Sequence, residues 1–246
     1  MTKPTMIALG IGVAGVGCGV LALESAGVVR LAWAWTSGSC AVATAAYLRN
    51  RPEWLGKRNG GLAARALLLL PYLVAFRIAC GLIRRFRPPD APTEIVPGLW
   101  VGGRIDARTF PAGVSHVVDL VAEYEAPPWE RALPGYYALS VLDGGEPPDA
   151  SAFLDLVREL RDVTGVILVH CDSGRGRAPT MAAAILVARG LVPDVDAALA
   201  LVRERRPVSS PTRVDVAFLR AVSPALRELQ GLGHGERRRV RQPQAS

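Results

Sequence analysis

The sequence predicts an α/β domain, a central sheet flanked by helices, that follows a membrane-associated N-terminal region. After residue 92, short apolar runs bounded by Gly and Pro alternate with helical patterns, which is typical of a sheet covered by helices. Before residue 49 the chain has two uncharged apolar stretches of 18 residues each. Such stretches are rare in soluble cores and typical of helices that cross a bilayer.

Residues 1–48 are predicted to form two transmembrane helices, over 6–23 and 31–48. A helix of this length spans about 27 Å, close to the hydrocarbon thickness of a bilayer. A cleaved signal peptide and a pair of buried soluble helices are the alternatives. The signal peptide is less favoured because a second apolar stretch begins within eight residues of the first.

The basic residues predict an orientation. Lys3 precedes the first stretch, and five Lys or Arg residues lie between residues 49 and 65, whereas the short connection holds only Glu24 and Arg30. The positive-inside rule then places both ends of the helical hairpin in the cytoplasm. We therefore expect a multi-pass membrane protein whose C-terminal domain faces the cytoplasm.

Residues 49–91 are predicted to form a basic, apolar segment and a linker. The stretch 62–83 is apolar, but two arginines leave only 11 uncharged residues between them and Pro71 lies in the middle. An interfacial or re-entrant helix satisfies its basic flanks better than a third membrane span, and both remain open. Four prolines in 87–98 favour an extended linker.

Residues 92–232 are predicted to form the folded α/β domain. The stretch 165–171 is a near-continuous apolar run, typical of a strand buried on both faces. The Arg-rich tail 233–246 is predicted to be disordered. The other strands are expected at 98–103, 114–121 and 136–143, and the helices at 150–161, 182–189, 195–205 and 212–222.

The distribution of charge argues against a nucleic-acid partner. The net charge is +7, yet residues 92–232 hold 14 basic and 18 acidic side chains. The excess of positive charge lies instead in residues 1–91, with 11 basic and 3 acidic, and in the tail, with 4 and 1. Basic flanks around apolar helices suit an anionic membrane surface, whereas nucleic-acid binding requires a basic face on the folded domain.

The chemistry lies at the end of the predicted buried strand, where Cys171 begins a glycine-containing loop. Gly174 and Gly176 let this loop curl so that its amides, and the dipole of the following helix, converge on one anion such as phosphate. Arg177 adds a planar fork for two phosphate oxygens. The same field stabilises the thiolate of Cys171 as a nucleophile. The pattern therefore predicts a device for attack on phosphorus.

The remaining cysteines and histidines carry no comparable pattern. The other three cysteines lie in the apolar N-terminal segments and are expected to be structural. Cys171 is the only cysteine after the linker, so the domain has no structural disulfide, as in a reducing compartment. His116 and His234 stand alone, and we expect no metal and no cofactor.

The motif H-C-x-x-G-x-x-R, here His170 to Arg177, resembles the signature of the protein tyrosine phosphatases, and the domain is similar to the dual-specificity branch. The resemblance covers roughly residues 92–224, including EIVPGLWVGG, VSHVVDL and VRERRPVSSPTRVDVAFL. It implies a protein-tyrosine-phosphatase-like central sheet flanked by helices, and hydrolysis of phosphomonoesters through a phosphocysteine intermediate without a metal. It also implies that Cys171 is the nucleophile and that Arg177 binds the phosphate and the transition state.

The resemblance further assigns a phosphate loop around the nucleophile. We expect His170 to orient the loop by hydrogen bonding, and Asp172 to contribute its backbone amide. The expected members of the loop besides Cys171 and Arg177 are His170, Asp172, Ser173, Gly174, Arg175 and Gly176.

The family also requires a general acid on a separate loop, about 30 residues before the cysteine. Asp143 lies 28 residues before Cys171, just after a predicted strand. A loop carboxyl can protonate the leaving oxygen and then activate water for hydrolysis. Glu146 is the second candidate, whereas Asp119 in a strand and Asp155 in a helix are expected to be structural.

One position departs from the family pattern. The family usually has Ser or Thr directly after the arginine, where the hydroxyl steadies the thiolate and helps the phosphoenzyme to break down. Here that residue is Ala178, and Thr180 follows two residues later. Slow turnover of the intermediate is one expectation, and compensation by Ser173 or Thr180 is the other.

Three functions are compatible with the sequence. The first is a membrane-anchored phosphatase for phosphotyrosine, phosphoserine or phosphothreonine in proteins. The second is a phospholipid phosphatase acting on phosphatidylglycerophosphate or a phosphoinositide, although Asp172 beside Arg175 would repel a highly phosphorylated head group. The third is an inactive phosphate-binding module, which the joint presence of Cys171, Arg177 and Asp143 argues against. The sequence leaves the oligomeric state open.

Overall fold

The computed structural model describes residues 3–58, 61–62, 64–86, 90–104 and 106–240. The chain divides into two units, which are described separately below. The N-terminal unit comprises Met1–Pro89 together with Val121–Ala132 and Ser140–Glu146. The second unit contains the loop for which the sequence predicts catalysis, and we call it the catalytic unit; it comprises Asp90–Leu120, Leu133–Leu139 and Pro147–Ser246.

Three helices dominate the N-terminal unit: α1 (Lys3–Glu24), α2 (Gly27–Leu48) and α3 (Leu70–Phe86). The first two contact each other through small residues, and a Cβ placed on Gly15 would lie 2.8 Å from that of Cys40. Small side chains at such a crossing let two helices approach closely. Between α2 and α3 lie two 3₁₀ helices, Pro52–Leu55 and Ala64–Leu69, and the antiparallel pair β1 (Lys57–Arg58) and β2 (Gly61–Leu62).

Two helical segments among the described residues are long and apolar enough to cross a membrane, Thr5–Glu24 and Ala66–Phe86. The first contains the predicted span 6–23. The second coincides with the stretch whose spanning character the sequence left open, because Pro71 lies in the first turn of α3, where a proline is tolerated. The predicted span 31–48 is helical within α2 but is not one of these two, since Trp, Thr, Ser and Gly dilute its apolar residues.

In the part of the chain that the structure describes, the larger of two sheets has five strands, which lie mainly in the catalytic unit. The strand order is β3–β4–β7–β5–β6, in which β7 is parallel to both of its neighbours and β3 is antiparallel to β4. The central strand β7 is therefore paired on both edges, and its successive side chains Ile167, Leu168 and Val169 are buried, so both of its faces are covered, as its apolar sequence predicts. The strands are β3 (Thr93–Val96), β4 (Leu99–Gly102), β5 (Val114–Val121), β6 (Gly135–Val141) and β7 (Val166–His170).

The helices confirm the predicted α/β class, with three changes of boundary. They are α4 (Pro128–Arg131), α5 (Ala150–Arg161), α6 (Arg177–Ala188), α7 (Val195–Arg205) and α8 (Arg213–Val240). The predicted linker 87–98 contains strand β3, because apolar Ile95 enters the core. Helix α6 begins at Arg177 rather than at 182. Helix α8 extends to Val240, into the tail 233–246 for which the sequence predicts disorder, and residues 241–246 lie outside the described residues.

Helix α6 is the buried centre of the catalytic unit, because all twelve of its residues are buried. Its side chains pack with those of α5, α7, α8 and the sheet in one apolar cluster that also contains Cys171. Full burial of a Val, Leu or Ile side chain contributes about 1.5–3 kcal/mol to folding. The loop between β7 and α6 is therefore fixed at both ends by heavily buried elements.

Candidate active site

Cys171 directly follows the central strand β7 and is 1 % exposed. Its Sγ accepts a hydrogen bond from the backbone amide of Gly174 at 3.2 Å. The carboxyl ends of parallel strands form the crevice where open α/β sheets bind ligands. The structure thus places the predicted nucleophile in that crevice, with a loop amide directed at its sulfur.

Two close approaches of the backbone fix the shape of the loop. Gly174 has a φ of +70°, and a Cβ at this position would lie 2.3 Å from the carbonyl carbon of Gly102 at the end of β4. A Cβ on Gly103 would lie 3.0 Å from the carbonyl carbon of Ser173. The amide of Arg104 also donates to the Asp172 carbonyl at 3.0 Å. Only glycine fits Gly174, and the loop is held against the end of β4 by its main chain.

Arg177 is the first residue of α6, and its N-cap is Gly176. The side chain is 9 % exposed, and Nη1 donates to the carbonyl of Leu120 in β5 at 3.3 Å. The amino end of α6 directs its dipole and its first amides into the loop, which favours an anion there. The guanidinium and the helix amino end therefore belong to the same short stretch of chain as Cys171.

A buried polar group underlies the loop. His170 and Asp119 are 4 % and 1 % exposed, and His170 Nε2 lies 3.9 Å from Asp119 Oδ1. The hydroxyl of Tyr136 donates to Asp119 Oδ2 at 2.7 Å. Asp119 thus lies in a buried polar group with His170 and Tyr136, and the role of His170 in orienting the loop stays a prediction.

The outer part of the loop faces solvent. Ser173 and Arg175 are exposed, and Asp172 and Gly176 are half-buried. Arg175 Nη2 lies 3.1 Å from Asp90 Oδ2. Arg175, the second arginine of the loop besides Arg177, therefore has an acidic partner at the start of the catalytic unit.

Arg206 supports the loop from below, and the sequence analysis missed it. Its side chain is 2 % exposed; Nε donates to the Gly174 carbonyl at 3.1 Å, and Nη1 donates to the Ala91 carbonyl at 2.6 Å and Thr93 Oγ1 at 2.9 Å. Burial lowers the pKa of this guanidinium, while Asp90 and Cys171 favour its charged form. The signal was an arginine directly before a proline in RERRPVSSP, which has no periodicity to distinguish it from its neighbours.

Three residues bear on the missing hydroxyl after Arg177, namely Ala178, Thr180 and Ser173. Ala178 is completely buried in the apolar cluster. The Thr180 hydroxyl donates to the Gly176 carbonyl at 2.9 Å, and the Ser173 side chain is exposed. Thr180 therefore stabilises the start of α6.

Asp143, the predicted general acid, lies in the turn that follows β6 and belongs to the N-terminal unit, as does Glu146. The Asp143 side chain is exposed, and its backbone amide donates to Glu123 Oε1 at 2.6 Å. The turn is closed by a hydrogen bond from the amide of Gly145 to the carbonyl of Leu142 at 3.0 Å. Asp155 is instead on the exposed face of α5, paired with Arg158 at 2.6 Å.

The fold and the loop agree with a phosphatase domain of the dual-specificity type. A family model described as the DSP-PTPase phosphatase domain of the Swiss Army Knife protein, PTP-SAK, matches residues 104–228. This match extends over just over half of the chain and includes Asp143, Cys171 and Arg177. The chain therefore belongs to the PTP-SAK family of phosphatase domains.

Solved structures of phosphatases and of a phosphatase-like protein are also similar to this chain. The human tyrosine phosphatase-like serine/threonine/tyrosine-interacting protein is 24 % identical with a TM-score of 0.45, over 53 % of this chain and 93 % of that one. Tk-PTP in the active form is 25 % identical with a TM-score of 0.46, over 56 % and 97 %. PTPMT1 in complex with PI(5)P is 17 % identical with a TM-score of 0.47, over 60 % and 99 %. No curated protein matches the chain.

Proposed function

We propose that the protein is a membrane-anchored phosphatase that hydrolyses phosphomonoesters through a phosphocysteine intermediate. The observation that carries the proposal is the buried Cys171, whose sulfur accepts a hydrogen bond from the backbone amide of Gly174. The loop that contains both residues ends at Arg177, the first residue of α6. An anion-binding loop around a thiolate suits attack on a phosphate dianion.

In the first step the Cys171 thiolate attacks phosphorus and forms an S–P bond while the P–O bond to the leaving group breaks. The loop amides and the Arg177 fork bind the phosphoryl oxygens as charge redistributes over them. Asp143, protonated at this stage, donates its proton to the leaving oxygen. The products are a phosphocysteine, a free alcohol or phenol and an Asp143 carboxylate.

In the second step water attacks the phosphocysteine. Asp143 accepts a proton from the water, the S–P bond breaks, and phosphate leaves as the Cys171 thiolate is regenerated. The amide of Gly174, 3.2 Å from the sulfur, stabilises the departing thiolate. Ala178 supplies no hydroxyl for this step, so we expect hydrolysis of the intermediate to limit turnover.

We place the domain at a membrane through the N-terminal helices. Large apolar side chains on α1, α2 and α3 are exposed, among them Val13 at 64 %, Leu23 at 80 % and Ile78 at 59 %. Apolar surface of this extent is costly in water and stable in lipid. The basic residues after α2 support a cytoplasmic domain.

Phosphorylated proteins are the proposed substrates, with phospholipid head groups as the second candidate. The ion pair between Arg175 and Asp90 neutralises the extra basic group at the rim of the loop, which favours substrates with a single phosphate. The exposed apolar helices favour the second candidate, because confinement to a membrane brings the loop close to lipid head groups.

Full-length protein reconstituted in vesicles is the material for the test. Release of phosphate is measured from phosphotyrosine, phosphoserine and phosphothreonine peptides and from mono- and polyphosphorylated lipids, with Cys171→Ser as the inactive control. We expect hydrolysis of phosphopeptides and complete loss in the variant. Preference for a monophosphorylated lipid would contradict the protein substrate, and phosphate binding without hydrolysis would establish an inactive module.

A further inference from the structure

The loop that carries Asp143 is bound to a buried carboxylate in the N-terminal unit. Glu123, shortly after β5, is 2 % exposed. Its Oε1 accepts the backbone amide of Asp143 at 2.6 Å. A carboxylate that accepts an amide at this distance forms a strong, charge-assisted hydrogen bond. The position of the Asp143 main chain is therefore linked to that of Glu123.

Glu123 is in turn held from the N-terminal helices. The hydroxyl of Tyr47, in the last turn of α2, donates to the same Oε1 atom at 3.4 Å. Lys57 is 5 % exposed, and its Nζ donates to the carbonyl of Val121, two residues before Glu123. Two side chains from the N-terminal segment thus fix the stretch that holds the Asp143 amide.

Apolar packing accompanies these hydrogen bonds. Leu142 and Ala122, the residues before Asp143 and Glu123, are 1 % and 0 % exposed. Both lie in one apolar cluster with Tyr47 of α2, Leu55, and Leu73 of α3. The turn after Leu142 is itself constrained, because Gly144 has a φ of +62°. The backbone on both sides of Asp143 therefore depends on the N-terminal segment.

We propose that Tyr47 and Glu123 are positioning residues that set the general-acid loop from the membrane-associated helices. The inference rests on the proposed role of Asp143 as proton donor. The helices then act as a structural part of the active enzyme as well as an anchor. A general acid must lie within hydrogen-bond reach of the leaving oxygen, so a small displacement of its loop lowers the rate of P–O cleavage.

The test compares substrates whose leaving groups differ in their need for a proton. Phenyl phosphate requires protonation of its leaving group, whereas 2,4-dinitrophenyl phosphate does not. With full-length protein in detergent micelles, we expect Glu123→Leu to lower kcat for phenyl phosphate by about tenfold, because a displacement of about 1 Å can cost about a hundredfold and the loop keeps its apolar packing. Tyr47→Phe should also lower kcat for phenyl phosphate, but by a smaller factor. Both variants should retain their activity on 2,4-dinitrophenyl phosphate.

Two control variants keep the result specific. Glu123→Gln retains an acceptor oxygen and should restore most of the phenyl phosphate activity. Trp35→Phe removes a different hydrogen bond of α2, the one that the Trp35 indole donates to the Leu68 carbonyl at 2.8 Å. Neither residue of that bond contacts Glu123 through it, so this variant should leave both activities unchanged. If Glu123→Leu does not fold, the positioning role is tested with Tyr47→Phe alone, because this variant removes a single hydroxyl and should still fold.

Asp143→Asn separates failure of this inference from failure of the proposed function. If Asp143→Asn does not selectively lower phenyl phosphate hydrolysis, Asp143 is not the general acid. If it does, and Tyr47→Phe and Glu123→Leu behave as the wild type or lower both substrates equally, the positioning role is wrong. In the Asp143→Asn background, the Tyr47→Phe substitution should cause no further loss of phenyl phosphate hydrolysis, because the general acid is already absent.

Discussion

Ala178 stands where the phosphatase signature that the sequence resembles usually has Ser or Thr. It is fully buried in the second position of α6, next to Arg177. The Thr180 hydroxyl is engaged with the Gly176 carbonyl, so it stabilises the helix start. In the proposed mechanism, hydrolysis of the phosphocysteine must then proceed without a hydroxyl at position 178.

The wild-type protein should therefore show a burst. Mixing the enzyme with 4-nitrophenyl phosphate should release a rapid burst of nitrophenol, close to one equivalent, followed by a slower steady state. Ala178→Ser should raise the steady-state rate by about tenfold and reduce the burst, since a hydrogen bond to the departing thiolate contributes about 1.5 kcal/mol. Ala182→Ser, a buried position one turn later on the same helix, is the matched control and should leave the burst unchanged. A linear time course in the wild type would contradict this explanation.

At the scale of an element, the loop between β7 and α6 depends on backbone contacts more than on side chains. Gly174 has a left-handed backbone conformation, and Gly102 and Gly103 at the end of β4 lie close to the loop main chain. The Gly174 carbonyl also accepts a hydrogen bond from Arg206. Because the atoms nearest to Gly174 are main-chain atoms of Gly102 and Gly103, a Cβ added at Gly174 must displace the end of β4 as well as the loop.

Gly174→Ala should abolish activity. The substitution adds a Cβ 2.3 Å from the Gly102 carbonyl carbon and forces alanine to a positive φ. Gly113→Ala is a matched control, because Gly113 has a φ of +80° but nothing lies within 4 Å of an added Cβ. We expect the control to cost about 1 kcal/mol of stability and to keep its activity. Retained phosphatase activity and unchanged phosphate binding in Gly174→Ala would overturn the assigned loop geometry.

At the scale of the whole molecule, exposed apolar side chains are concentrated on the N-terminal helices. Among the residues whose side-chain exposure the structure describes, which end at residue 230, the large apolar side chains exposed in the catalytic unit are Leu191 and Val214. The others, on or next to α1, α2 and α3, include Val13 and Leu23. This asymmetry supports membrane association through one unit and gives a direct test.

Val13→Glu should weaken membrane association. Val13 is 64 % exposed on α1, and an acidic side chain near the centre of a spanning helix costs about 2.5–3.5 kcal/mol on insertion. The measurement is the fraction of protein that remains with the membrane after alkaline extraction. Leu191→Glu, at a 53 % exposed position of the catalytic unit, should remain in the membrane like the wild type. Equal extraction of both variants would contradict the anchor.

Sequence patterns predicted most elements of the catalytic domain, because their signals are local. The strand 114–121 and the helices 150–161 and 195–205 have the predicted boundaries, since hydrophobic periodicity and the caps Asp149 and Asp194 act within a few residues. Helix α6 starts five residues earlier than predicted, because the start is set by the loop that precedes it. Strand β3 was missed since proline suggested a linker, whereas pairing with β4 decides the conformation.

By itself the sequence determined the class of the domain and the order of its reactive residues, because the nucleophile, the glycines and the arginine are contiguous and form one local loop. Only the tertiary structure revealed Arg206 beneath the loop and the contacts of Glu123 with Tyr47 and Asp143. These contacts join residues 20 to 115 positions apart. No local pattern encodes such pairs, because hydrogen bonds between buried groups form only when the fold brings distant stretches of chain together and excludes water from them.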